Sequence, residues 1–426
     1  LQPAGGGLKL KYQRPIGTQD ITPEVAREWR LVEDTFRRVA ENAGYGELRT
    51  PIFEDTDLFL RSVGQETDIA SKEMYTFQDR SERSLTLRAE GTAPAVRAYL
   101  ENNLFNQDRE RLVKLYYLAP IFRYDRPQAG RYRQHHQGGL EAIGSSHPAV
   151  DAEILALAWD LFAALGLSGI TLHLNSVGCP ICAPDYVEKL REKMADNLDH
   201  LCGDCQRRHQ HNPLRMLDCK MCEEYLARAP HITEELCGNC DDHLDQLRHT
   251  LDLLAVPYQM DHTIVRGLDY YTKTAFEFQF AGIGAQASIA GGGRYDGLVE
   301  KMGGKPTPGV GIGIGLERLL LARQACGAVP AEPQRQGVLV VTLGDSAWPE
   351  GLRLMQELRR SGVKAEVDYR RRSLQAQLKL ADREHYAWAA IFGDDELERQ
   401  MVSLKNMITG EQTEVSRADL PGLVGR

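Results

Sequence analysis

The sequence predicts an α+β protein: a strand-and-helix core that carries a mainly helical insertion, followed by a separate α/β domain. Three observations lead there. Residues Leu115–Glu141 (LYYLAPIFRYDRPQAGRYRQHHQGGLE) read as a long β-hairpin. Between Ser176 and Met260 the composition turns to charged sequence with helical spacing, and eight of the nine cysteines fall there. After Val338, strand-like and helix-like segments alternate. The expected divisions are core residues 1–175, an insertion at 176–260, core again at 261–328, a linker at 329–336 (VPAEPQRQ) and an α/β domain at 337–426. A chain of 426 residues can bury a core in each of two or three domains.

The elements follow in order. LQPAGGG is expected to be a disordered tail. Thr22-Pro23-Glu24 has the residues of a helix start, and Trp29, Val32, Phe36, Val39 and Ala40 recur at helical spacing. Asn42-Ala43-Gly44 ends that helix, and Pro51 sits in extended chain. A short strand at Leu85–Arg88 leads through Glu90-Gly91-Thr92 to a helix from about Pro94.

In the hairpin, the arm Val113–Tyr124 is rich in residues that suit a pleated surface, and Pro127 with Ala129-Gly130 breaks it. Alternate side chains share a face, so Arg123 sides with Leu115, Tyr117 and Ile121. On the return arm Gln137, Gly139 and Glu141 share a face, and Gly139 leaves an open space beside a carboxylate. The loop holds Arg126, Arg131 and Arg133, with Asp125 as the nearby acid. A basic loop over a polar floor suggests a phosphate-bearing ligand; a solvated charged hairpin is the alternative.

A helix at about Ala149–Leu165 and a strand at Ile170–Leu174 precede the insertion. Core-like sequence returns at Thr263, with a strand at Ala275–Phe280, glycines at Ala290–Gly293 and Gly309–Gly315, and a helix from Leu316. The last domain reads as strand Val338–Leu343, helix Pro349–Ser361, strand Val363–Val367, helix Ser373–Glu384, strand Ala387–Phe392 and further strands.

No run approaches the roughly 20 apolar residues of a membrane span, and no signal-like segment opens the chain, so a cytoplasmic location is expected. The net charge of -9 argues against a general nucleic-acid coat but permits local basic sites. Eight cysteines form four Cys-x-x-Cys pairs: 179/182, 202/205, 219/222 and 237/240. In a large chain without a signal this points to one or two Cys₄ zinc sites or to free thiols rather than disulfides. Cys326 reads as a small packing residue.

Gly309, Gly311, Gly313 and Gly315 alternate with Val310, Ile312 and Ile314. In a strand the branched residues can pack on the core, while the glycine face lets a flat ligand lie against bare backbone. No dinucleotide fingerprint and no G-x-x-x-x-G-K-[ST] phosphate loop is present, so ATP would need another architecture. Arg318 can reach phosphates or partner Glu317. The cluster Arg266-Gly267-Leu268-Asp269-Tyr270-Tyr271 offers a guanidinium fork and phenol hydroxyls, or else a buried tyrosine pair. Gly291–Gly293 with Arg294-Tyr295-Asp296 is a second loop of this kind, unless Asp296 only caps a helix.

These residues resemble the class II aminoacyl-tRNA synthetases, and specifically the histidyl-tRNA synthetases, from about Leu10 to the C-terminus. Helix Pro23–Asn42 with Pro51 looks like the dimer-forming motif 1. FRYDRPQAGRYRQHHQ looks like motif 2 and GVGIGIGLERLLL like motif 3. RGLDYYTKTAFEF and AGGGRYDGL are similar to the two histidine-specific motifs. One departure is His135, where the family usually has Phe; it is expected to face away from Gln137 and to leave the chemistry unchanged.

The resemblance implies an antiparallel-sheet catalytic core, a C-terminal anticodon-binding domain and a homodimer. It implies that histidine attacks the α-phosphate of ATP, with Mg²⁺ on the phosphates, and that the adenylate then acylates tRNA(His). Arg123 and Arg266 would stabilise the transition state, each for about 3–4 kcal/mol. Arg318 and Glu317 would serve ATP. Glu90, Thr92 and Gln137 would hold the amino and carboxylate groups of histidine. Glu141, Tyr270 and Tyr271 would surround the imidazole, in space left by Gly139. Arg126, Gln128, Arg131 and Arg133 would meet the tRNA acceptor end, and Arg359, Arg360 and Arg370–Arg372 the anticodon side. Many family members lack the cysteine pairs, so zinc would be structural. The rival readings are a catalytically idle paralogue that regulates histidine biosynthesis, which lacks the C-terminal domain, and a synthetase for threonine or proline, which RGLDYY argues against.

Overall fold

Strands Val113–Phe122 and Gln134–Ile143 pair antiparallel along their full length, Val113 opposite Ile143 and Phe122 opposite Gln134. This is the expected hairpin, with the first arm ending two residues early; Arg123 lies just past it and donates its backbone N–H to the Arg133 carbonyl. The structure is a computed structural model that describes residues 11–64, 67, 69–106, 112–284, 287–328 and 334–425. The expected N-terminal tail and residues 329–333 of the expected linker lie outside the described residues. The chain divides into two units, residues 1–328 and 329–426.

In the first unit the hairpin sits within an eight-stranded sheet. Its spatial order is Gly46–Glu47, Val113–Phe122, Gln134–Ile143, Gly309–Gly315, Ser288–Arg294, Thr272–Phe280, Ile170–Ser176 and Gln259–Met260. The six central strands are antiparallel, and the two short edge strands add in parallel. A three-stranded sheet, Phe53–Asp55, Ser84–Leu87 and Thr76–Gln78, stands apart.

One face of the large sheet is apolar. Helices Ala26–Asn42, Pro148–Ala164, Gly238–Leu253 and Leu316–Ala325 bury Trp29, Phe36, Leu155, Phe162, Leu247 and Leu319 in one core with Val310, Ile312 and Ile314. The alternation expected of residues 309–315 is therefore real. It sends three branched side chains into the core and four glycines to the other face. The first helix begins later than its capping signal suggested. Thr22 accepts a bond from the Ala26 N–H through its carbonyl, and Val25 takes the cap position.

The stretch expected to be an insertion contains helices Ala183–Ala195, Gly203–His211 and Glu223–Leu226, joined by short 3₁₀ turns. They enclose a second, smaller apolar cluster, which includes Tyr186, Leu190, Met194, Cys205, Met216 and Cys222 and extends to Ile264, Val265 and Ala275 of the core. The last helix of the cysteine-bearing stretch, Gly238–Leu253, packs instead into the main core through Leu244, Leu247 and Leu251.

The second unit is an α/β sheet. Ala365–Val367, Val338–Thr342 and Trp388–Phe392 run parallel, and Met401–Asn406 and Gln412–Ser416 continue antiparallel. Helices Ala347–Arg360 and Leu374–Arg383 supply the crossovers. Among the described residues no helix is long and apolar enough to cross a membrane.

Candidate active site

The polar face of the eight-stranded sheet is the floor of a cavity of about 480 Å³. Arg123, Arg266 and Arg318, from three distant parts of the chain, line it together, as do Glu90, Thr92, Arg131, Gln137, Tyr270, Tyr271 and Glu317. Arg123 is held by a 2.7 Å bond from its Nε to the Ala89 carbonyl. Arg318 donates to the carbonyls of Gly130 (3.2 Å) and Ser288. Arg266 is ion-paired with Glu277 and lies over Gly291, where a Cβ would come within 2.5 Å of the guanidinium. Its backbone takes a left-handed φ of +59°, a costly conformation for a non-glycine residue.

The glycine rows do more than present bare backbone. A Cβ at Gly309 would strike the Tyr295 ring at 2.3 Å, at Gly311 the Glu141 carboxylate at 2.0 Å, and at Gly313 the Gln137 amide at 1.7 Å. Only at Gly315 is the nearest contact ordinary, 3.5 Å to Arg318. The expectation of a bare strand holds in part: Gly311, Gly313 and Gly315 line the cavity, but they share that floor with side chains. Side chains of neighbouring segments lean across the missing Cβ atoms, and the floor a ligand meets is polar. For Gly139 the expectation is corrected. Its space is filled by the phenol end of Tyr117, which also fills the space over Gly91.

Glu141 lies behind the cavity wall and is fully buried. It accepts bonds from Thr92 Oγ1 (2.7 Å), Tyr295 Oη (2.7 Å) and Tyr117 Oη (3.5 Å). Burial raises its pKa to about 8, against the pull of the Tyr295 and Thr92 hydroxyls. Glu90 caps the helix Thr92–Glu101, accepting the N–H groups of Thr92 and Ala93 at 2.6 Å each. Burial raises its pKa, while those backbone bonds lower it. Both oxygens of Glu317 accept the His136 N–H, at 3.0 and 2.9 Å, and its Oε1 is 3.0 Å from His136 Nδ1.

His135 needs a second correction. Residues two apart on a strand share a face, so it lines the cavity beside Gln137 rather than facing away. Burial, and then the positive charges of Arg123 and Arg318, lower its pKa to about 3, so it is a neutral imidazole.

Of the basic loop, Arg126 and Gln128 are exposed. Arg131 bonds to Asp125 at 2.5 Å and lies 3.8 Å from Glu73, an acid absent from the sequence expectation. Arg133 stacks on Tyr124 with its guanidinium 3.8 Å from the ring centre. Arg294 is not part of the cavity. It is fully buried against Asp151, with Asp296 at 3.1 Å, so Asp296 serves this pair and Gly297 takes the cap of the short helix that follows. The wall also includes Glu277, Tyr295, Arg208, Arg215 and Asp218, which sequence reasoning did not assign. Glu277 and Tyr295 stood in quoted motifs without being singled out there; Arg208, Arg215 and Asp218 carried no signal. Two buried polar atoms on the wall, Arg266 Nε and Gln137 Oε1, have no hydrogen-bond partner, as expected of groups that meet a ligand.

An antiparallel sheet backed by helices, with arginines gathered on its polar face, is the architecture of the class II aminoacyl-tRNA synthetases. The chain belongs to the histidyl-tRNA synthetase family, whose model matches residues 17–319, and an anticodon-binding domain model matches residues 337–426. It is 52% identical over 407 residues to the histidine–tRNA ligase of Moorella thermoacetica, covering 95% of this chain and 96% of that one. The ligase of Desulfitobacterium hafniense is 48% identical over 417 residues, 97% and 98% of the two chains. The apo histidyl-tRNA synthetase of S. aureus superposes with a TM-score of 0.83 at 38% identity, covering 97% of this chain and 100% of that one.

Proposed function

We infer that this chain is a histidine–tRNA ligase. It activates L-histidine with ATP to histidyl-adenylate and pyrophosphate, then transfers histidine to the 3′ end of tRNA(His). The observation that carries this reading is the gathering of Arg123, Arg266 and Arg318 around one cavity beside Gln137 and Thr92.

The chemistry follows from the charges. The histidine carboxylate attacks the α-phosphorus, negative charge grows on the phosphoryl oxygens, and fixed guanidinium groups lower the barrier without reorganising. Arg266 and Arg123 take that role; Arg318, with Glu317 bracing the strand it adjoins, serves the rest of the triphosphate. Glu90, Thr92 and Gln137 hold the amino and carboxylate end, and Gln137 Oε1 is an acceptor suited to an ammonium. Tyr270, Tyr271 and Glu141 surround the imidazole, with Glu141 acting through Thr92 and Tyr295 or directly on a ring N–H. Glu73, Asp218 and Glu277 also line the cavity, so hard oxygen donors are at hand for Mg²⁺. That ion would neutralise phosphate charge when bound with ATP.

Arg126 and Gln128, with Arg131 and Arg133 behind them, face the tRNA acceptor end. Arg359, Arg360 and Arg370–Arg372 face its anticodon. A homodimer through the first helix and Pro51 belongs to this reading, and exposed Ile52, Phe53 and Phe77 supply an apolar patch nearby. Structural zinc in the insertion belongs to it as a support of the fold. The regulatory paralogue is disfavoured by the anticodon-binding domain at residues 337–426. ATP–pyrophosphate exchange with each amino acid tests the reading. Exchange that depends on histidine alone is expected; none at all would point to the regulator.

A further inference from the structure

The cysteine pairs meet in a nested arrangement. Cys179 and Cys182 join Cys237 and Cys240, and inside that, Cys202 and Cys205 join Cys219 and Cys222. Within each quartet all four sulfurs lie within 4.8 Å of one another. Sulfur separations are 3.8 Å for Cys179–Cys182, 3.7 Å for Cys179–Cys237, 3.8 Å for Cys182–Cys240 and 3.8 Å for Cys202–Cys219. Four thiolates at ~2.3 Å from a central zinc form a tetrahedron with edges of ~3.8 Å. A disulfide needs ~2.05 Å. Backbone N–H groups approach the sulfurs, Cys179 to Cys182 at 3.3 Å and Cys202 to Cys222 at 3.2 Å, which supports thiolate charge. Soft ligands in a tetrahedron select zinc over hard cations.

We propose that each quartet binds one zinc ion, and that the inner ion positions part of the insertion against the catalytic arginine. The second half rests on the ligase reading. Between Cys205 and Cys219 the chain delivers Arg208, Arg215 and Asp218 to the cavity wall, and Asp218 adjoins Cys219 directly. Arg208 donates to the Arg215 carbonyl (3.1 Å), and Arg215 donates to the Arg266 carbonyl (3.1 Å). Asn212 donates to Asp269 (3.0 Å), three residues past Arg266. The left-handed backbone of Arg266 is thus held partly by the segment that the inner quartet closes. The apolar cluster beneath this segment is small and has two of the inner cysteines among its buried members, Cys205 and Cys222. A core of that kind needs a staple to hold one geometry. The inner zinc is then a positioning device, as its ligands do not touch substrate.

The test uses the full-length protein purified without chelator. Two zinc ions per chain are expected by mass spectrometry, and cobalt substitution should give the absorption of tetrahedral thiolate sites. One zinc or fewer per chain overturns the proposal. The double variant Cys219→Ser/Cys222→Ser should keep one zinc and lose ~100-fold in histidine-dependent pyrophosphate exchange, the scale of a misplaced catalytic group. Arg215→Ala covers the case in which that variant fails to fold. It should keep both zinc ions and lose turnover rather than histidine KM. Normal turnover in either variant overturns the positioning role. If the parent protein holds two zinc ions but shows no histidine-dependent exchange, the ligase reading falls and takes the positioning role with it, while the zinc sites stand.

Discussion

The Tyr295 hydroxyl donates a 2.7 Å hydrogen bond to Oε2 of Glu141, and the two side chains meet over backbone kept bare by Gly309 and Gly311. A Cβ on Gly311 would lie 2.0 Å from that same oxygen and 2.9 Å from the Leu140 carbonyl. The backbone atom cannot yield, so the carboxylate must. Gly311→Ala is therefore expected to cost ~10²-fold in histidine-dependent exchange through displacement of Glu141. At Gly315 the added methyl meets only the Arg318 side chain, no nearer than 3.5 Å, so Gly315→Ala should be tolerated. Paired exchange assays check both, and equal activity in the two variants would reject the idea of glycines as seats.

Glu141 ties stability to pH. An ordinary glutamate titrates at 4.5, and burial first of all raises this one to about 8. The folded state binds the extra proton, so the contribution is complete below 4.5 and is lost as pH rises through 8. Between pH 6 and 8 the apo protein should lose about 2 kcal/mol from this group. Glu141→Gln should flatten that dependence, as read by urea denaturation at the two pH values. An unchanged dependence in the variant would sink the assignment.

Much of this site could be read from the chain, and what could not has a physical reason. Period-two alternation placed Gln137 and Glu141 together, and placed Val310, Ile312 and Ile314 on the core. That same alternation also puts His135 on the cavity face. The occupants of the glycine face were hidden because they depend on register. Gly311 lies opposite Glu141, and Gly313 opposite Gly139, through ladders that no local pattern specifies. Tyr117 faces Gly139 for the same reason. The cysteine spacing was legible, but the joining of Cys179 to Cys237 spans 58 residues and depends on how the insertion folds back. Arg208, Arg215 and Asp218 reach the cavity by that same return.

Arg294 and Asp151 form an ion pair with both side chains wholly excluded from solvent. Arg294 Nη1 also donates to the Ser145 carbonyl (2.9 Å), and His243 Nε2 lies 3.4 Å from Asp151. Removal of Asp151 takes away the fully buried carboxylate and leaves the guanidinium with Asp296 alone, 3.1 Å from Nη1 and partly exposed. Asp151→Asn is expected to lower stability by about 3 kcal/mol, the low end for a broken buried pair because Asp296 remains, while leaving any surviving folded protein able to bind ATP. Thermal unfolding of the two proteins measures this. A melting temperature within a degree of the parent would mean that the pair is not fully desolvated.

Arg266 is the sharpest test of the chemistry. Its guanidinium is fixed by Glu277 below and by Gly291 behind, and its buried Nε still has no partner. A group held this way gains most when negative charge appears in front of it, at the phosphoryl oxygens of the transition state. Arg266→Ala should lower the rate of adenylate formation by ~10²–10³-fold. Histidine binding draws mainly on Glu90, Thr92 and Gln137, so the histidine KM should move only a few-fold. Glu277→Gln leaves the guanidinium but loosens its seat, so it should fall between the parent and Arg266→Ala in turnover. Rapid-quench measurement of adenylate separates these cases. If Arg266→Ala raised the histidine KM and left the adenylation rate near normal, Arg266 would be a binding group, and the transition-state charge would have to be met by Arg123 instead.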